Sequence, residues 1–164
     1  MSEDVLLVTH ARSDGIYDSG LLEGSIEPFV KDFKGLAVHI SSDPETHPYG
    51  GKEIYDEVVI DRWQGMPNKN DCRKILENCG TIYRAGAQFS KCCGNTDMGL
   101  SVNSEQDLEL VYLEDLTVCL GRDSLELLED RSHYHRSEGV NINNNLNFNY
   151  IKSDEYLLDG ITGI

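Results

Sequence analysis

The segment Ala85-Gly86-Ala87-Gln88-Phe89-Ser90-Lys91-Cys92-Cys93-Gly94-Asn95-Thr96 carries the most chemistry in the chain. An apolar run ends there, a tight turn follows, and Cys92 falls where a helix should begin. A thiol at a helix N-terminus sees the positive end of the macrodipole, which favours thiolate and so nucleophilicity. Lys91 adds to that field, and backbone N–H groups of the same turn can form an oxyanion hole. The alternative for Cys92 and Cys93 is a pair of small buried apolar side chains, the usual behaviour of free cysteine. No CxxC pair exists, and adjacent cysteines chelate a tetrahedral ion poorly, so no structural zinc is expected. Asp43, Glu45 and His47 read as a solvated loop, and His133 and His135 as a polar helix end. No metal or other cofactor is expected.

These residues need strands and helices to position them. Val5–Thr9, Leu36–Ile40, Glu57–Asp61 and Thr81–Ala85 are short apolar runs that read as buried strands. Between them, Ser25 can cap a helix bearing Ile26, Phe29, Val30 and Phe33. Asn70 or Asp71 can cap another bearing Cys72, Ile75, Leu76 and Cys79, closed by Gly80. The stretch from Lys91 to Val102 is helical if Gly94 and Gly99 are tolerated there. Leu108–Leu113 alternates as a fifth strand, and Ser124 can cap a helix with Leu125, Leu127 and Leu128. From Val140 to Tyr150 apolar residues alternate with Asn, with one break at Asn144, predicting a strand with one solvated face. Strands that are continuous apolar runs, interleaved with helices, imply an α/β protein with a parallel sheet covered on both faces. Its ligand crevice should lie at the carboxyl ends of the strands, where strand order reverses. Residues 10–14, 41–47, 61–64 and 86–96 are therefore the ones to watch. Among them Asp14, Trp63 and Gln88 are binding candidates, Trp63 as a platform for a planar substrate.

A chain of 164 residues, 39% hydrophobic, suggests a single domain over 1–164 with a genuine core. Fourteen Lys plus Arg against 29 Asp plus Glu give a net charge of −15. That balance opposes binding to nucleic acid, which needs a basic patch, and to anionic membranes. A small-molecule substrate or a basic protein partner suits it better. The acidic start Met1-Ser2-Glu3-Asp4, apolar runs far short of a membrane span and five cysteines without framework spacing predict a cytoplasmic protein.

Along its length the sequence resembles the isochorismatase-like cysteine hydrolases, a superfamily that includes nicotinamidases and N-carbamoyl amide hydrolases. Gly86, six residues before Cys92, and Thr96, four after it, match the element G-x-A-T-D-x-C-V-x-x-T. Leu6 to Asp14 parallels L-L-V-I-D-V-Q-N-D, Val111 to Asp115 resembles V-x-V-V-x-D, and Gly139-Val140 falls at G-A-x-V. The resemblance implies a three-layer α/β/α fold with a mainly parallel six-stranded sheet, Cys92 as nucleophile, and frequent homo-oligomers. Two catalytic positions differ from the pattern. The strand-one Asp, a general base, is His10; the Lys after the third strand falls most nearly on Arg62, with Asp61 the alternative. Phe89-Ser90 replaces the Thr-Asp before the nucleophile.

Two functions follow. In the first, His10 activates Cys92 as a proton shuttle, Arg62 holds an anionic group, and the protein cleaves an amide or C–N bond of a small planar or anionic metabolite through a thioester. In the second, the scaffold persists without its chemistry as an acidic binding or inhibitor protein for a basic partner.

Overall fold

The computed structural model describes residues 2–10, 26–41, 54–62, 64–87, 92–118 and 145–156. Among the described residues, six strands and three helices follow in chain order: β1 (Glu3–Thr9), α1 (Glu27–Asp32), β2 (Leu36–Ser41), β3 (Glu57–Ile60), α2 (Lys69–Leu76), β4 (Cys79–Ala87), α3 (Gly94–Val102), β5 (Leu108–Val118) and β6 (Leu146–Ile151). The strands form one sheet in the order β3-β2-β1-β4-β5-β6, and every neighbouring pair is parallel.

Alternation along β1 divides the core between the two faces. Leu6 and Val8 pack with Phe29, Val30 and Phe33 of the α1 region on one side. Val5 and Leu7 pack with Ile75 of α2 and Leu100 of α3 on the other. Burying both faces is why the central strands are largely apolar, with His39 and Arg84 as buried exceptions. The edge strand β6 differs: Asn147 and Asn149 are exposed while Leu146, Phe148 and Tyr150 are half-buried, the period-two pattern of a strand solvated on one face. Val140 and Ile142, and the helix expected after Ser124, lie outside the described residues. Among the described residues no helix is long and apolar enough to cross a membrane.

Helix starts differ from the sequence reading in an instructive way. The cap of α2 is Asn68, whose Oδ1 accepts from Asp71 N at 2.8 Å, in place of Asn70 or Asp71. Pro67 fixes the extended backbone ahead of it. Gly80 does not close this helix: the turn is made by Glu77 and Asn78 (φ 62°), and Cys79 and Gly80 already belong to β4. At α1 the flanking Ile26 offers no side-chain cap, and Pro28 sits in the first turn. The glycines of 94–102 are tolerated because the helix is clamped by tertiary contacts, described next.

Candidate active site

Strand order reverses between β1 and β4, so the crevice between their carboxyl ends is the topological switch point. Two glycines let the chain close in around it. Gly86 has φ +110°, and a Cβ there would lie 2.0 Å from Thr9 O, so only glycine lets the end of β4 press against β1. Gly65 has φ +90°, and a Cβ there would lie 2.3 Å from Cys92 O. The turn after β3 is thus packed directly against the backbone of the candidate nucleophile.

His10 and Asp61 meet over the carboxyl end of β2, on the side of β1 away from β4. His10 N donates to Ile40 O at 2.9 Å and Asp61 N to Ser41 O at 2.8 Å, so consecutive β2 carbonyls hold both residues. Strands two apart in a sheet are separated by roughly 10 Å, a gap that an imidazole and a carboxylate together can bridge. They do: His10 Nε2 lies 2.6 Å from Asp61 Oδ2, each side chain only 6% exposed. Asp61 Oδ2 also accepts Gly65 N–H at 2.8 Å. An oxygen that accepts a backbone proton serves as the acceptor for His10 as well. Nε2 then carries the imidazole proton and Nδ1 the lone pair. His10 reaches this position with φ 52°, a left-handed backbone uncommon for a residue with a Cβ.

Cys92 immediately precedes the turn into α3, with Cys93 as its flanking residue at φ −63° and ψ −43°. Thr96 ties this start to its surroundings. Its hydroxyl lies 2.6 Å from Gly65 O, 3.1 Å from Cys92 O and 3.0 Å from Thr9 Oγ1. Asn95 adds a bond from Nδ2 to Gln64 O at 2.9 Å. The residue before His10, the turn after Asp61 and the carbonyl of Cys92 therefore share one hydroxyl.

Cys92 is itself buried, as are Cys72 and Cys93, while Cys79 is half-buried. Burial pushes Cys93 up to about 12, with Arg84 and a Thr9 hydrogen bond pulling the other way. Burial, with Asp71, pushes Cys72 up to about 11, and burial raises Cys79. Deprotonation of each is disfavoured relative to an ordinary thiol.

A buried polar network underlies the crevice. Arg84, fully buried, donates Nε–H to Asp97 Oδ1 at 2.7 Å, one terminal nitrogen to Leu7 O at 2.7 Å, and the other to Thr9 Oγ1 and Cys93 O, both at 3.1 Å. Tyr112 OH donates to Asp97 Oδ2. Burial by itself would lower the guanidinium pKa, but Asp97, together with Tyr112 and Cys93, outweighs it and holds the group above its ordinary value. The Tyr112 phenol is raised well above its ordinary value, first by burial and then by Asp97.

Of the residues singled out in the sequence, His10 and Cys92 are placed at the switch point. Asp61, not Arg62, is the post-β3 residue that reaches His10. Arg62 is exposed, with its backbone N–H bonded to Met66 O at 2.7 Å. β3 ends at Ile60 rather than Asp61, and that one-residue difference decides which side chain turns inward. Asp14, Trp63 and Gln88 lie outside the described residues, as do Lys91, Asp43, Glu45 and His47. Arg84, Asp97 and Gly65 are functional candidates that sequence reasoning missed. Among the described residues no group of three His, Cys, Asp or Glu side chains is arranged to hold a metal ion. A polar cleft of about 430 Å³, lined by residues including Cys79, Glu105, Asp107 and Leu108, opens at the opposite ends of the strands. It shares no residue with His10, Asp61 and Cys92.

No protein-family profile matches the chain, and no curated protein does. Solved structures do match. An isochorismatase-like hydrolase from Alkaliphilus metalliredigens aligns over 97% of this chain and 99% of its own, with TM-score 0.61 and 18% identity. PnC1 of L. infantum, solved in complex with nicotinate, aligns over 93% and 94%, with TM-score 0.60 and 14% identity. The MAR1 ribonuclease of Caenorhabditis elegans aligns over 99% and 83%, with TM-score 0.65 and 11% identity.

Proposed function

We propose, with the isochorismatase-like fold of this chain as the premise, that it is a cysteine hydrolase. In this reading it cleaves an amide or C–N bond of a small planar or anionic metabolite, using Cys92, His10 and Asp61. The observation that carries the reading is the buried 2.6 Å His10–Asp61 pair at the carboxyl ends of β1 and β3, with Cys92 two residues before α3. A carboxylate that fixes the tautomer of an imidazole next to a thiol is the general logic of an activated cysteine.

His10 Nδ1 takes the Cys92 proton, and the thiolate sulfur attacks the substrate carbonyl carbon, placing negative charge on oxygen. The C–N bond breaks as His10 returns its proton to the leaving nitrogen, giving a thioester on Cys92. Water, losing a proton to His10, then attacks the thioester and releases the acid and the free thiol. Asp61 stabilises the imidazolium at each transfer. Arg62, exposed beside Asp61, is the cation available to an anionic substrate group. The fold is shared with a ribonuclease, but a net charge of −15 opposes a polyanionic substrate.

A direct test is alkylation by iodoacetamide across pH 5–10 with peptide mapping, beside turnover of a small-amide panel. The expected result is selective modification of Cys92 with a midpoint below that of an ordinary thiol, and turnover abolished in Cys92→Ala. Turnover unchanged in that variant, or an unreactive Cys92, overturns the reading.

The charge supports a second reading, an acidic binding protein for a basic partner, with Glu105, Asp107 and Glu109 exposed on and before β5. Salt-sensitive capture of a basic protein by both wild type and Cys92→Ala, without turnover, favours it.

A further inference from the structure

We propose that Arg84 is a positioning residue that sets the separation of Cys92 and His10. This inference rests on the hydrolase reading above and deepens it. One terminal nitrogen of Arg84 bonds both Thr9 Oγ1 and Cys93 O, each at 3.1 Å. Thr9 is the residue before His10, and Cys93 is the residue after Cys92. A single rigid fork therefore fixes the chain on the inner side of the base and of the nucleophile at once.

The physical setting argues that stability is not the reason for a charge here. Arg84 faces the layer of Leu7, Ile82, Leu100 and Leu110, where an aliphatic side chain would pack without desolvation cost. Replacing a buried ion pair by apolar residues is commonly neutral or stabilising. What an aliphatic pair cannot do is direct N–H groups at two peptides on different elements. Arg84 does so with four of its five N–H donors engaged: one on Asp97, one on Leu7 O, and two on the segments flanking the site. Asp97, held in turn by the Tyr112 hydroxyl, keeps the fork from rotating. Thr9 passes the constraint on: with its oxygen accepting from Arg84, its own proton is directed at Thr96 Oγ1, which bonds Gly65 O and so the turn bearing Asp61. The whole triad is braced from one buried guanidinium.

The test compares wild type with Arg84→Leu/Asp97→Leu and with Arg84→Lys. The double substitution removes both charges together and so leaves no uncompensated carboxylate. The lysine keeps the charge beside Asp97 but lacks the fork. Folding is followed by circular dichroism, and the readout is the pH profile of Cys92 alkylation. Among the described residues, the titratable groups of this network and of the proposed triad are His10, Asp61, Arg84, Cys93, Asp97 and Tyr112, and only Arg84 and Asp97 change. Both variants are expected to fold and to move the alkylation midpoint upward by about one pH unit, a roughly tenfold slower reaction at pH 7. A folded double variant with the wild-type profile overturns the inference, as does loss of folding in both variants. The failure of the hydrolase reading looks different: wild-type Cys92 itself then reacts as an ordinary thiol, and this inference falls with it.

Discussion

Asp61→Asn isolates the charge of the proposed triad without disturbing its geometry. Asp61 Oδ2 accepts two protons, from Gly65 N at 2.8 Å and from His10 Nε2 at 2.6 Å. An amide nitrogen at that position would confront the Gly65 N–H, so the asparagine should orient its oxygen there and keep both bonds. The tautomer of His10 is then preserved and only the negative charge is lost. The His10 and Asp61 side chains are each 6% exposed, so solvent screens the pair little. A charge-assisted hydrogen bond contributes about 1.5–3 kcal/mol and a neutral one about 0.5–1.5, so the imidazolium loses about 1–2 kcal/mol. That corresponds to about a five- to thirtyfold slower formation of the thiolate–imidazolium pair at pH 7. Stopped-time alkylation with iodoacetamide, read by mass of the Cys92 peptide, measures it without removing the other described thiols. Cys72, Cys79 and Cys93 are all raised by burial and stay protonated at pH 7. A wild-type alkylation profile in folded Asp61→Asn would refute the reasoning, because the carboxylate would then have no electrostatic hold on the base.

Three further outcomes are expected. Gly65→Ala places a Cβ against Cys92 O in a positive-φ turn, so it should lower stability by about 1–3 kcal/mol and slow Cys92 alkylation at the same time, measured by urea unfolding and by mapping. Asn68→Ala removes the exposed α2 cap, three residues beyond Gly65, and should cost about 1 kcal/mol of stability while leaving the alkylation profile unchanged. Stability should decline as pH rises above 9. Cys93 and Cys72 are raised from 9.0 to about 12 and about 11, so their contribution is complete below 9 and is lost as pH climbs through 9 to 12. Thermal melts at pH 7, 9 and 10.5 should show a progressive fall in Tm, and a flat Tm over that interval would contradict the assigned burial.

Much of the fold was legible because a sheet buried on both faces leaves strands such as Val5–Thr9 and Leu36–Ser41 largely apolar. The edge strand β6 was legible for the opposite reason, its strict alternation with Asn. The site was half legible. Gly86 and Cys92 could be placed because a positive-φ glycine and a helix-start thiol have local signatures. His10 could be placed because it ends an unmistakable strand. Asp61 against Arg62 could not be decided, since β3 has only four residues, too few to fix which face the next side chain takes. The pairing of Arg84 with Asp97 was hidden more deeply. The two lie 13 residues apart on different layers, and only the assembled sheet shows that a charged residue of β4 points into an apolar layer. Asn68 was missed as a cap because Asn70 and Asp71 offer the same chemistry two and three residues on. Pro67, which favours an extended residue before the helix, was the signal that could have chosen among them.

The central claim concerns the spatial relation of two side chains, and a bifunctional electrophile reads it directly. Treatment with 1,3-dibromoacetone should alkylate the Cys92 sulfur first and then close onto the imidazole of His10, joining their two tryptic peptides in one cross-linked species. Recovery of Cys92 as a single-ended adduct, or bridged to a residue other than His10, would contradict the account.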